Sequence, residues 1–132
     1  MTTSRSRLAV LALALVAGAA GAQEIAVPSG LVMTLYDVRL EQDPDPVARF
    51  RFVSPVVDPA GEGRSFADLV DDLQFVCDRV VIPSLAANDW EGTSVVISVS
   101  NIETEFGVFD DSVTQFFQPY RIEGDTCIWE DF

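Results

Sequence analysis

The stretch that most constrains the fold is SFADLVDDLQFVCDRVVIP, residues 65–83, because it is the best helical pattern in the chain. Its apolar residues recur at steps of three and four, which is the spacing of one helix face. They are Phe66, Leu69, Val70, Leu73, Val76, Cys77 and Val80. Ser65 and Asp68 have the spacing of a shortened capping box, and Pro83 cannot continue a helix. We therefore expect one amphipathic helix at about residues 66–80, with Cys77 on its buried face.

The chain contains two cysteines, Cys77 and Cys127. The segment TQFFQPYRIEGDTCIWE, residues 114–130, is typical of a β-hairpin with Gly124 and Asp125 in the turn, which places Cys127 in the last strand. Two cysteines in an oxidising compartment favour one disulfide. We therefore predict a Cys77–Cys127 disulfide that fastens the last strand to the helix. A redox-active pair is the alternative, but neither a Cys-x-x-Cys spacing nor a basic neighbourhood is present.

Other stretches have the alternation or the β-branched composition of strands. They are residues 31–40, 47–57, 94–101 and 104–110, together with the two strands of the C-terminal hairpin. The predicted order is β-β-α-β-β-β-β. Strands grouped on both sides of one helix favour an antiparallel sheet with that helix on one face. The predicted fold class is therefore α+β, in a single domain.

The first residues have the layout of a signal peptide. Arg5 and Arg7 precede an apolar run at residues 8–16, and small residues follow as far as Ala22. The apolar run is too short for a stable transmembrane helix, although a membrane anchor is the alternative. We predict cleavage after Ala22, a single domain at residues 23–132, and a periplasmic or secreted location.

The predicted mature chain is strongly acidic. Removal of residues 1–22 leaves six arginines against 21 acidic residues, a formal charge of 6 − 21 = −15. This charge repels phosphate groups, so it argues against nucleic acid as a partner and against anionic membrane surfaces. The acidic surface either serves solubility alone or attracts a basic partner or a cation.

Two residue types that carry much enzyme chemistry are absent, since the chain has no histidine and no lysine. Their absence removes serine–histidine and cysteine–histidine catalysis, histidine-bound zinc, and lysine Schiff bases. Carboxylate chemistry remains available, but a chain this short offers little room for a deep cleft. We predict no cofactor and no metal site, and a non-enzymatic role is favoured.

Aromatic residues are concentrated near the C-terminus, where Phe116, Phe117 and Tyr120 lie within five residues. Core packing is the ordinary role of such side chains. However, Phe116 and Phe117 are adjacent and face opposite sides of a strand, whereas one helix covers only one side of a sheet. We therefore predict an exposed aromatic binding patch formed by Phe117, Phe116 and Tyr120.

Acidic residues cluster in EQDPDP, residues 41–46, and in FDDS, residues 109–112. Alternating acids can bind calcium, but the first segment lacks the glycine and the distal glutamate of the helix–loop–helix calcium motif. Solvated turn residues are the favoured interpretation of both segments.

Four stretches in order carry a resemblance to a known family: VPSG at 27–30, RFRFVSP at 49–55, EFGV at 105–108 and TQFFQPYRIEGDTCIWEDF at 114–132. Together they resemble a domain-of-unknown-function family of small exported bacterial proteins. The similarity covers nearly all of the predicted mature chain, and the aromatic C-terminal block is its most specific part. The resemblance implies export and a single domain, and it assigns no role to any residue.

These observations favour a small exported domain that binds a protein or a cell-envelope component and has no enzymatic activity. A specific version is an acidic inhibitor-like protein that docks on a basic target, such as a lysozyme-like hydrolase. Two alternatives stay open. One is a carboxylate-dependent hydrolase, and the other is a calcium-stabilised structural protein.

Overall fold

The computed structural model describes residues 22–58 and 64–131, which form a six-stranded sheet with a helical segment on one face. The strands are β1 (Gln23–Ala26), β2 (Val32–Glu41), β3 (Val47–Val53), β4 (Ser94–Ser100), β5 (Gln115–Glu123) and β6 (Thr126–Trp129). A 3-10 turn (Pro55–Val57) follows β3. The helical segment consists of α1 (Phe66–Val76), a π-helical turn (Cys77–Val81) and α2 (Ile82–Ala87). Apart from Ala22, the predicted signal peptide lies outside the described residues.

The strands lie side by side in chain order, from β1 to β6. Four neighbouring pairs are antiparallel. The central pair, β3 and β4, is parallel, with Val47 opposite Ser94 and Val53 opposite Ser100. A sheet with one helical segment agrees with the α+β class, but the expectation of a purely antiparallel sheet is wrong at its centre. The helical segment is long enough to return the chain to the end of the sheet where β3 began, so β4 runs in the same direction as β3.

The predicted order of elements is also wrong in detail. Three strands precede the helical segment because residues 23–26 pair with β2, and three follow it because residues 104–110 form no strand. The strand predicted at residues 47–57 ends at Val53. Pro55, which has no backbone N–H to donate to a neighbouring strand, begins the 3-10 turn there.

The helical segment starts with the predicted capping box but ends at Ala87 rather than near residue 80. A proline inside a helix normally clashes with the carbonyl group four residues earlier. Here the π-helical turn widens the helix directly before Pro83, and Ile82 donates its backbone N–H to the carbonyl of Cys77, five residues earlier. Pro83 then lies in the first turn of α2, where proline is tolerated.

The hydrophobic core lies between the helical segment and one side of the sheet, which we call the helix face. Its largest fully buried side chains include Met33, Phe50, Phe52, Leu69, Leu73, Val76, Ile97 and Tyr120. Full burial of one such side chain stabilises the fold by about 1.5–3 kcal/mol. The alternation of Phe50 and Phe52 with two arginines therefore fixes which side of β3 faces the core.

The last strand is fastened to the helical segment by the predicted disulfide, whose two sulfur atoms, of Cys77 and Cys127, are 2.02 Å apart. Two hydrogen bonds flank it. Asp78 Oδ1 accepts the backbone N–H of Cys127 at 2.7 Å, and Gln74 Nε2 donates to the Cys127 carbonyl at 2.7 Å. The disulfide is compatible with an oxidising extracellular compartment. None of the helices in residues 22–58 and 64–131 is long and apolar enough to cross a membrane.

One carboxylate of the helical segment is buried. Asp72 is 1% exposed, and its two oxygens accept the backbone N–H of Ser29 at 3.0 Å and the Ser29 hydroxyl at 2.6 Å. A buried carboxylate needs such donors to offset its lost hydration. Because Ser29 lies between β1 and β2, this contact fixes the first turn of the sheet onto α1.

Candidate binding cleft on the open sheet face

The second side of the sheet, which we call the open face, carries polar and apolar residues that the helical segment does not cover. The pairing of the strands aligns Asp37, Arg51, Ser98 and Phe117 in one row across it. Arg49 and Val96 form the neighbouring row, and Ser100 and Gln115 lie in the row on the other side. Side chains two residues apart on a strand share a face, so these rows form one surface.

The connection between β4 and β5, residues 101–114, lies over the open face, and we call it the roof loop. Its ends are joined by two hydrogen bonds. Asn101 donates its backbone N–H to the Thr114 carbonyl at 3.1 Å, and Thr114 donates its own to Asn101 Oδ1 at 3.0 Å. Antiparallel neighbours usually need only a short turn, and loops this long inside compact domains commonly carry function.

Arg51 anchors the roof loop to the sheet. Its guanidinium group is buried, and it donates to Asp37 Oδ2 at 2.7 Å and to both the carbonyl and the Oγ1 of Thr104 at 2.9 Å. The backbone N–H of Thr104 also donates to the Tyr36 hydroxyl at 3.3 Å. Charge-assisted hydrogen bonds of this type hold a loop in one position.

The ring of Phe106 fastens the same loop through three arginines. Arg39, Arg51 and Arg49 place their guanidinium carbons 4.2, 5.3 and 5.9 Å from the ring centre. A guanidinium group within about 6 Å of an aromatic ring is attracted by the ring's electron density. The loop is therefore held at Thr104 and at Phe106, while its tip extends beyond them.

A cleft of about 390 Å³ lies between the roof loop and the open face. Its lining includes Arg49, Val96, Ser98 and Phe117 from the sheet and Val108 and Phe109 from the roof loop. Clefts of roughly 300–1,000 Å³ with mostly apolar walls and a few polar groups are typical of ligand sites. The cleft is therefore the candidate binding site of this chain.

A family profile described as a family of unknown function, DUF6497, matches residues 9–132, which is most of the chain. The chain belongs to DUF6497. This confirms the resemblance to a family of unknown function that its four sequence stretches indicated. No curated protein and no solved structure matches the chain.

The predicted aromatic patch of this DUF6497 protein does not form one surface. Phe117 lies on the open face at the cleft and is 47% exposed. Phe116 lies on the helix face, where its ring centre is 5.7 Å from that of Phe66. Tyr120 is 1% exposed, so its assignment to an exposed patch is wrong. Residues an even number of positions apart share a strand face, which places Tyr120 with Phe116 in the core.

The exposed aromatic residue that sequence reasoning missed is Phe109, at the tip of the roof loop. Its side chain is 88% exposed, and the neighbouring Val108 is 54% exposed. Residues 104–110 have the alternation of a strand, which hid the loop. Gly107, which has a positive φ of 81°, was the available signal, because a glycine inside a short strand pattern often marks an interruption.

One residue of each acidic cluster has a partner within the protein. Glu41 pairs with Arg49 at 3.1 Å. Asp110 accepts hydrogen bonds from the Ser112 hydroxyl at 2.7 Å and from its backbone N–H at 2.9 Å, and these bonds hold the pKa of Asp110 below its ordinary value. No group of three or more potential metal ligands occurs in the part of the chain that the structure describes.

Asp37 of β2 accepts a hydrogen bond from Arg51, which also donates to Thr104 of the roof loop. Partial burial alone would raise the pKa of Asp37, but hydrogen bonds from Arg51 and then Arg39 outweigh it and hold that pKa below its ordinary value. The carboxylate therefore stays ionised at neutral pH and keeps Arg51 in place.

We expect Asp37→Asn to make the stability of this DUF6497 protein less sensitive to acid. Since the folded pKa of Asp37 is lowered, its contribution is fully present above the unfolded value of 3.8 and is lost as pH falls through the lower folded value. Denaturant titrations at pH 7 and pH 3 should show a smaller loss of unfolding free energy in the variant than in the wild type. The matched control is Asp125→Asn in the exposed β5–β6 turn. A loss in Asp37→Asn as large as in the wild type would contradict the assignment.

Proposed function

We propose that this DUF6497 protein is a non-enzymatic binding domain that contacts a protein or cell-envelope partner at the mouth of the cleft. The observation that carries the proposal is Phe109, an aromatic side chain that is 88% exposed on a loop held firmly at its base. Together with Val108 and Phe117 it gives the rim of the cleft an apolar surface, and such surfaces are used for partner binding.

The attachment of the roof loop supports the same proposal. Arg51 and Phe106 hold the loop through hydrogen bonds and ring contacts before any partner arrives. A loop that is already ordered loses little conformational freedom when it binds, so more of the contact energy appears as affinity. The acidic charge of the remaining surface would speed the approach of a basic partner.

The charge states of the described carboxyl groups favour binding over hydrolysis. The resolved pKa shifts of the carboxyl groups of Asp37, Asp68 and Asp110 are all downward. A hydrolase that uses two carboxylates needs one of them to hold a proton near neutral pH, which requires a raised pKa. The described carboxylates with resolved shifts are instead placed to accept hydrogen bonds.

We also propose that the chain is exported and that its functional form begins at Gln23, the first residue of β1. The signal-like pattern of the first residues and the Cys77–Cys127 disulfide support this proposal. The intact mass of the exported product tests the cleavage site.

Affinity purification from a cell-envelope extract tests the binding surface. The baits are the oxidised wild type, Phe109→Ser, and the control Val32→Ser, which removes a 47% exposed apolar side chain of β2. We expect partners retained by the wild type and by Val32→Ser to be lost with Phe109→Ser. A central interface aromatic contributes about 2 kcal/mol, or roughly 30-fold in Kd. Equal retention by all three baits would overturn the proposed surface.

A further inference from the structure

We infer that the cleft recognises a single carboxylate attached to an apolar body, such as a small organic acid or the carboxyl end of a polypeptide. This inference rests on the proposed binding function of the same cleft and specifies its ligand. It starts from the polar groups that line the cleft and from how many of their hydrogen bonds the protein itself supplies.

Ser98 is the first of these groups. It lies in the centre of the open face, between Arg51 on β3 and Phe117 on β5, and it is 3% exposed. Its hydroxyl makes no hydrogen bond with any residue in the described ranges, although Ser98 lines the cleft. Trp90 Nε1 and Tyr120 Oη are the buried side-chain atoms of the described residues that lack a partner, and Ser98 Oγ is not one of them. The Ser98 hydroxyl therefore stays open to the cleft and is available to a ligand atom.

Arg49 is the second group. Its Nε donates to Glu41 at 3.1 Å, and its side chain is 33% exposed at the cleft. Within the described part of the chain its two terminal nitrogens have no hydrogen-bond partner. The two free terminal nitrogens of a guanidinium group can bind a carboxylate through parallel hydrogen bonds. Arg49 lies one row from Ser98 on the neighbouring strand, so both groups reach the same end of the cleft.

The charges around the cleft disfavour a ligand with two negative charges more than a ligand with one. Three arginines, Arg39, Arg49 and Arg51, are matched by two carboxylates, Asp37 and Glu41, which leaves 3 − 2 = +1. Glu105 and Asp110 line the loop side of the cleft and bring the sum for the whole cleft to 3 − 4 = −1, so they repel a dianion more strongly than a ligand with one negative charge. A carboxylate therefore fits this end of the cleft better than a phosphate dianion.

The rest of the cleft is suited to an apolar body. Val96 and Phe117 form its floor, and Val108 and Phe109 form its outer wall. An aromatic or branched apolar group would cover these exposed surfaces while its carboxylate reached Arg49 and Ser98. The ligand chemistry therefore follows from one polar end and one apolar end.

Calorimetry with the oxidised protein tests the inference. The probes are phenylacetate, its neutral analogue phenylacetamide, and the dianion benzylphosphonate. We expect phenylacetate to bind about tenfold more tightly than either of the others, because its carboxylate can form a pair of charge-assisted hydrogen bonds with Arg49.

A peptide that ends in a free phenylalanine carboxylate tests whether the ligand is a small acid or a polypeptide end. Binding at least tenfold tighter than phenylacetate indicates a polypeptide end, and equal or weaker binding indicates a small acid.

Two variants and a control locate the site. Arg49→Gln and Ser98→Ala should each weaken phenylacetate binding about tenfold or more. Arg121→Gln, which removes a guanidinium group paired with Glu130 elsewhere on the open face, should leave it unchanged. Ser98→Ala should also melt at about the same temperature as the wild type, since the hydroxyl that it removes makes no hydrogen bond within the described residues. A purely structural serine would instead lower the melting temperature.

The inference is overturned if phenylacetate does not bind, if phenylacetamide binds equally well, or if Arg49→Gln and Ser98→Ala bind like the wild type. Its failure is distinguishable from failure of the proposed function. If Phe109→Ser loses partner capture but the wild type does not bind phenylacetate, the proposed binding surface is supported and only the inference of a carboxylate ligand fails.

Discussion

Removal of the Cys77–Cys127 disulfide should lower the free energy of unfolding by about 4 kcal/mol. The bond joins residues 50 positions apart, and a cross-link over a loop of that length restricts the unfolded chain by roughly this amount in the chain-entropy model. The hydrogen bonds from Gln74 and to Asp78 remain, so β6 keeps its place in the folded protein. The loss should therefore come mainly from the greater freedom of the unfolded state.

Urea titrations of the wild type and of the double variant Cys77→Ala/Cys127→Ala measure this effect. A reductant should destabilise the wild type and leave the double variant unchanged, which separates loss of the bond from general effects of the reductant. A difference below about 1 kcal/mol between the two proteins would contradict the chain-entropy account.

The second large effect is expected from Phe50→Ala. Phe50 is 1% exposed on the helix face of β3, between Val38 of β2 and Ile97 of the parallel strand β4. Truncation of a buried phenylalanine removes its transfer free energy and leaves a cavity, which together cost about 3–5 kcal/mol. Native domains are stable by only about 5–15 kcal/mol, so this variant should retain little stability.

The matched control is Val38→Ala, directly opposite Phe50 on the neighbouring strand. Val38 shares the helix face but is 43% exposed, because β1 pairs only with the first part of β2 and stops before it. A largely exposed apolar side chain contributes little, and we expect a loss below about 1 kcal/mol. Chemical denaturation measures the free energy of unfolding of both variants. Similar losses in the two variants would show that the core is centred elsewhere.

Local signals in the sequence predicted the local elements. The capping box of Ser65 and Asp68 marked the start of the helical segment, and Gly124 and Asp125 marked the turn between β5 and β6. The end of the helical segment was missed because a proline normally stops a helix, and no sequence rule foretells a π-helical turn that makes room for Pro83. The short strand β1 was missed because four residues carry no clear period.

The direction of a central strand is a non-local property. The β-branched run of β4 is buried on both sides of the sheet at Ile97 and Ser98, which parallel and antiparallel neighbours accommodate equally well. Only the path of the helical segment decides that β4 runs beside β3 in the same direction. Local alternation contains no information about that path.

The candidate site was predicted only at Phe117. The polar end of the cleft combines Arg49 and Ser98, which are 49 positions apart in the chain and become neighbours through the β3–β4 pairing. The outer wall depends on Phe109, in a segment whose alternation imitates a strand. Sites assembled from distant strands and an irregular loop leave no spacing that a single sequence can reveal.

The parallel pairing at the centre divides the sheet into two three-stranded meanders, residues 23–53 and 94–129, each connected only by sequence-local turns and loops. Every residue pair across the β3–β4 boundary is separated by 94 − 47 = 47 positions. Because contacts between distant residues form late, we expect each meander to assemble before the two halves join. Backbone amides along that seam should then exchange with deuterium only when the whole molecule opens, whereas those of β1 exchange through local fraying.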